Sequence, residues 1–274
     1  MQVVLLLLGE RVDAHLHRGE LQEPHVDAVV AERRHWPRIA EPAVKRVVIV
    51  NILNQPIDSV AQRVVNNEFD SSVDMRAQTI GNILEQNKEV SSWTGADSPY
   101  GYLDWWPISL YLNNERAPFD KKDVRWAVSY YIDREQLIDV GYLGAGIPSK
   151  LPLPPYPPLQ PYIDAIKDKL AKYDTNAHDP KKGDALLTGA GFKKGADGIW
   201  ADASGKKISI DIIGFGASGP ALGPVLVEML KRNGIEASIA VPPDFDDRFQ
   251  KGQFTGAIYG HGGSISDPYN TLKL

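Results

Sequence analysis

The chain has 274 residues, of which 43% are hydrophobic and 24% charged, with a net charge of −5 and no cysteine. That composition belongs to a folded globular chain, and it excludes wholesale disorder, disulfides, thiolate metal sites and cysteine nucleophiles. No basic patch or stripe is present to read a phosphate backbone, so nucleic acid is not expected as a partner.

The apolar run Val3 to Leu8 is far shorter than the ~20 residues of a membrane-spanning helix. It also lacks the preceding basic residues and the cleavage site of an export signal. Residues 1–44 hold His15, His17, His25 and His35, four of the six histidines, with five arginines and no lysine, whereas all 17 lysines follow. Such a shift marks segments of different origin, either a small separate module or a coding artefact such as a shifted frame. Within it, Val12-Asp13-Ala14-His15-Leu16-His17 is similar to the D-x-H-x-H metal motif of amidohydrolases. Two histidines at i and i+2 on a strand share a face and could share a metal. The further histidines that such a hydrolase needs are scarce, because only His178 and His261 lie beyond residue 35.

From residue 45 the pattern is mixed α/β. Val47 to Leu53 reads as a buried strand. Trp93, Tyr100, Tyr102, Trp105, Trp106 and Tyr111 fall within 19 residues among Gly95, Pro99 and Gly101, a loop whose ring faces could stack on sugars or plug a hydrophobic core. Asp120 is placed to cap a helix with Val124, Ala127, Val128, Tyr131 and Ile132 on one face. Asp133 and Gln136 form a capping-box signature for the next helix. Residues 151–161 contain six prolines and predict an extended loop. Asp179-Pro180 starts a helix that Gly191 stops. Trp200 to Gly214 predicts a β-hairpin turning at Ser204-Gly205, with Ile208, Ile210 and Ile212 on one face. A helix through Leu222 to Leu230, ended by Gly234, then a strand from Ile235 to Val241, a short helix at Phe245 to Phe249 and a strand from Gly256 to Tyr259 complete the reading. Gly214-Phe215-Gly216-Ala217-Ser218-Gly219 matches G-x-G-x-x-G literally, but Pro220 and Pro224 crowd the helix entrance, and it reads as an ordinary glycine-rich connection. No nucleophile elbow or serine triad is present.

Asn113-Asn114-Glu115-Arg116-Ala117-Pro118-Phe119-Asp120, then Val124-Arg125-Trp126-Ala127 and Ile132-Asp133-Arg134-Glu135, resemble the hallmark of family 5 extracellular solute-binding proteins. Asp197-Gly198-Ile199-Trp200, Gly234-Ile235 and Asp267-Pro268 follow in the same order. The resemblance covers residues 45–274 and implies an incomplete two-lobed α/β fold of the periplasmic-binding-protein type. On that reading residues 45–112 are a late part of the first lobe, and residues 113–274 most of the second, without a C-terminal return strand. It implies a periplasmic, monomeric receptor that hands a small solute to the ABC permease of the inner membrane, with no catalysis and no cofactor.

In peptide-binding relatives of this family an aspartate four residues before the Asp-Pro proline pairs with the peptide ammonium. That position here is Ser264, which favours an oligosaccharide over an oligopeptide. The expected ligand contacts are Trp93, Tyr100, Trp105, Trp106, Asn113, His261 and Ser264. A non-functional fragment and, behind it, a metal-dependent hydrolase through His15 and His17 are the alternatives.

Overall fold

The computed structural model describes residues 3–8, 28–31, 46–52, 55–72, 75–92, 95, 97, 100, 106–173, 175–216, 218–260 and 262–272. The chain divides into two compact units, Met1–Gly101 and Tyr102–Leu274.

In the first unit, strands β1 (Val3–Leu8) and β2 (Ala28–Ala31) flank β3 (Arg46–Asn51), both antiparallel to it. The β-branched run predicted near Val47 is therefore the centre of a small sheet. Its buried side chains Val48 and Val50, with Ile52 beyond the strand end, pack with Val60 and Val64 of α1 (Ile57–Val65), Phe69, and Ile83 of α2 (Ala77–Gln86).

The second unit is built on a four-stranded sheet in the order β4 (Ile108–Leu112), β9 (Gly256–Gly260), β7 (Ser209–Gly214), β8 (Glu236–Ala240). Strand β7 runs parallel to both β8 and β9, and β4 is antiparallel at the edge, with Ile108 opposite Gly260. Helix α8 (Ser218–Arg232) carries the chain from β7 to β8, and α9 (Phe245–Gln250) from β8 to β9. Alternation along the strands sorts their side chains to two faces. Ile210, Ile212 and Ile258 point into the main core, built with α3 (Lys122–Tyr131), α7 (Pro180–Gly189) and α8. Fully burying a side chain of this size contributes about 1.5–3 kcal/mol. Ile213 and Ala257 face the other way, onto Phe245 of α9. Tyr131 is completely buried in the main core, and its hydroxyl donates to Asp184 Oδ1 at 2.7 Å.

The remaining elements are α4 (Arg134–Tyr142), α5 (Gln160–Ala165), α6 (Lys167–Lys172), the two-residue strands β5 (Lys193–Lys194) and β6 (Trp200–Ala201), and α10 (Tyr269–Leu272).

Three local expectations change and one holds. Asp120 does not cap α3, which begins after Lys121 without a side-chain cap; instead Arg125 Nη1 donates to the carbonyls of Phe119 and Asp120. Asp133 does cap α4, accepting from Gln136 N–H at 3.1 Å. The proline-rich stretch ends in a 3₁₀ turn, Pro157–Leu159, leading into α5, because proline is tolerated in a first helical turn. The hairpin expected over Trp200 to Gly214 is reduced to a single bridge, Ala201 to Lys207. Instead β6 pairs with β5, and β7 takes parallel partners on both sides.

Candidate functional site

In parallel α/β sheets, ligands bind beyond the carboxyl ends of the strands. Here that edge is formed by Gly214 at the end of β7 with Phe215 after it, by Tyr259-Gly260 at the end of β9, and by Trp106, which enters antiparallel β4 beside them. The Trp106 indole lies across Gly260 so closely that a methyl on that glycine would stand 2.6 Å from Trp106 Cγ. It is half-buried and meets two other rings edge-on, Tyr259 at 5.0 Å and 79° and Phe215 at 5.7 Å and 69°. Phe215 and Tyr259 are themselves edge-to-face at 5.1 Å. Such pairs prefer this geometry because the positive edge of one ring meets the negative face of the next.

The array continues along the sheet. Phe249 of α9 touches Tyr259 at 4.8 Å and Tyr111 at 5.3 Å, and stacks on Phe245 at 5.7 Å and Phe254 at 5.3 Å. Burial, with the Tyr259 phenol adding to it, pushes the Tyr111 pKa up to about 12. Burial and nearby Asp246 raise that of Tyr259. Both hydroxyls therefore stay protonated near neutral pH.

Trp93, Trp105 and His261 lie outside the described residues, as do His15 and His17. Trp106 stands in the array. Tyr100 belongs to the first unit, where its ring borders Gly81 of α2. Asn113 is buried at the opposite end of β4 from Trp106, and its amide is engaged with the backbone of residues 252–254. Ser264 is 1% exposed, with Oγ accepting from Thr271 N–H at 3.0 Å.

Phe215, Tyr259, Phe245, Phe249 and Phe254 escaped sequence reasoning. Tyr259 could have been found from the alternation along β9, since it shares the side of Ala257 opposite the core-facing Ile258. Phe215 was hidden in the glycine-rich run. There, a methyl on Gly219 would lie 2.9 Å from Gly214 Cα, so the glycines serve close packing of α8 on β7. Among the described residues no group of three or more His, Cys, Asp or Glu is placed to hold a metal ion. No helix among them is long and apolar enough to cross a membrane.

The profile of "Bacterial extracellular solute-binding proteins, family 5 Middle" matches residues 22–274. The chain belongs to this family. Among curated relatives, it is 31% identical over 171 residues to heme-binding protein A of Haemophilus influenzae, covering 59% of this chain and 27% of that protein. It is 29% identical over 119 residues to the dipeptide-binding protein of Escherichia coli, covering 43% and 19% respectively. A periplasmic oligopeptide-binding protein of an oligopeptide ABC transporter from Thermotoga maritima superposes with a TM-score of 0.77 at 20% identity, over 92% of this chain and 48% of that one. In the structure of that protein with bound mannohexaose the TM-score is 0.67, with 47% of the other chain covered. These likenesses show the α/β fold of the two-lobed family 5 binding proteins. The chain spans about a fifth to a quarter of the length of the curated relatives it matches, and about half that of the solved structures.

Proposed function

We propose that this chain is the ligand-binding part of a periplasmic, monomeric receptor that captures an oligosaccharide without chemical change. It would deliver the sugar to the ABC permease of the inner membrane, with ATP hydrolysis left to other subunits. The observation that carries the reading is the Trp106–Phe215–Tyr259 array at the carboxyl ends of β7 and β9 in a chain of family 5. A half-buried indole fixed edge-on by two other rings offers a pre-oriented surface for the apolar face of a sugar ring, and phenols that stay protonated supply donors for its hydroxyls. Trp93, Tyr100, Trp105 and His261 are the further contacts in this reading. Asn113 and Ser264 already hold bonds to the protein backbone.

An oligopeptide is the second reading. It is favoured by the relatives named for dipeptide, glutathione and di/tripeptide binding. Against it stands the lack of a carboxylate at position 264, since a buried ammonium left without its counter-charge is costly. Titration calorimetry of the full-length receptor with mannohexaose and with dialanine separates the two. The expected outcome is saturable sugar binding that weakens at least about tenfold in Trp106→Ala, close to 1.4 kcal/mol. Saturable binding of dialanine alone would transfer the function to peptides, and no saturable response to either would overturn the proposal.

A further inference from the structure

The run Asn113 to Arg116 sits at the far end of β4 from Trp106, yet it makes a dense set of bonds to one short turn. Asn113 Nδ2 donates to the carbonyls of Gly252 at 3.0 Å and Phe254 at 3.2 Å. Its Oδ1 accepts from Glu115 N–H at 3.0 Å, which fixes the amide's orientation. Its backbone N–H donates to Thr255 O at 3.0 Å. Arg116 Nη2 converges on the same Gly252 carbonyl at 3.1 Å.

That turn is where α9 stops and β9 starts. Gly252 is left-handed with φ 63°, Gly252 N–H donates to Phe249 O, and Gln253 N–H donates to Arg248 O. This is the Schellman termination of a helix, which glycine adopts without steric penalty. It turns the Gly252 carbonyl away from the helix and toward the two side chains. Phe249 and Phe254 flank the turn with rings nearly parallel, 7° apart. From Phe249 the contacts run to Tyr259 at 4.8 Å and from Tyr259 to Trp106 at 5.0 Å. A rotation or slide of α9 would therefore be transmitted ring by ring to the indole, and the bonds on Gly252 and Phe254 resist that motion. A buried amide that lost both acceptors would be left with unsatisfied donors, so the bonds are strongly favoured.

We propose that Asn113 and Arg116 are positioning residues for the ligand surface. They pin the end of α9 to the end of β4 and, through Phe249 and Tyr259, hold Trp106 in its binding orientation. The proposal rests on the solute-binding reading above.

The test uses full-length protein labelled with 4-fluorophenylalanine, with resonances assigned by single Phe→Leu exchanges. Asn113→Asp keeps the size and the accepting Oδ1 but loses both donated bonds. Arg116→Lys, at an exposed position, keeps the charge but loses the planar fork and guards against a variant that fails to fold. Gly183→Ala, a substitution in the main core, controls for lost stability. Expected in Asn113→Asp are shifted fluorine signals for Phe249 and Phe254 with Phe192, in the main core, unmoved. The Kd for whichever of mannohexaose or dialanine the parent binds should rise about tenfold, while the control leaves it within twofold. Unmoved Phe249 and Phe254 signals, or moved signals with an unchanged Kd, would overturn the proposal. Absence of any binding in the parent refutes the solute reading alone. The fluorine signals then decide the clamp, a shift supporting it and no shift overturning it.

Discussion

Replacing Gly260 by alanine tests how tightly the indole of Trp106 is seated. The added methyl would lie 2.6 Å from Trp106 Cγ and closer still to Cδ2 and Cε2, whereas ordinary contact begins at 3.4 Å. Gly260 is in a paired strand and Trp106 is the neighbour that must yield, so the ring has to move by roughly 1 Å, enough to spoil a packed contact. Phe215 and Tyr259 block two of its directions. Overpacking of this kind costs about 1–3 kcal/mol, or a Tm lower by roughly 2–4 °C for each kcal/mol in a unit of this size. If the indole is the ligand surface, a displacement of that order also weakens solute binding by about tenfold or more. Thermal unfolding and titration calorimetry on Gly260→Ala give both numbers. A double-mutant cycle with Trp106→Leu then isolates the clash, because a side chain that no longer lies flat over position 260 should remove most of the penalty. An unchanged Tm in Gly260→Ala, or an equal penalty with and without the indole, would refute the packing argument.

Two further outcomes follow from the main core and from the phenols. At Gly183 of α7 a methyl would meet the fully buried Tyr131 ring at 2.6 Å, so Gly183→Ala should destabilise by about 1–2 kcal/mol despite the ~1 kcal/mol gain in helix propensity. The denaturant midpoint should fall with an unchanged slope, and a stabilised variant would contradict this. For Tyr111 the folded-state pKa, about 12, lies above the ordinary value near 10. The unfolded chain releases that proton first, so the associated stability is intact below pH ~10 and is lost by pH ~12; for a half-buried phenol screened by solvent it amounts to about 1 kcal/mol. Denaturation across that window should be less steep in Tyr111→Phe, and identical curves would refute the assignment.

What could be read from the sequence was governed by the range of the interactions. Asp133 caps α4 as its spacing to Gln136 predicts, because cap and partner are three residues apart. Ile208, Ile210 and Ile212 are buried as their alternation requires. The pairing of β7 was misjudged because a strand's own residues say which side is apolar but not which neighbours it will take. The turn at residues 202–206 does form, with Asp202 N–H donating to Lys206 O, but beyond it the ladder gives way to parallel partners supplied by residues 236–240 and 256–260. Of the residues proposed to bind ligand, Trp106 stood out by local aromatic density. Its partners Phe215 and Tyr259 lie more than a hundred positions away and are joined to it only by the pairing of β4 with β9. Asn113 was picked out by the family motif, and only its long-range bonds reveal that it holds a turn.

The placement of β4 also sets an order of events during synthesis. Its ladder partner is β9, the last strand among the described residues, and β7 likewise waits for residues made after it on both of its sides. Until residues 256–260 leave the ribosome, Ile108, Leu110 and Leu112 belong to a strand whose backbone edge is unpaired and whose apolar face is uncovered. Unpaired apolar edges are where nascent chains join the wrong partner. A chain interrupted before residue 256 should therefore lose far more than one strand: it should aggregate through β4, and it would depend on a chaperone for as long as β9 is missing.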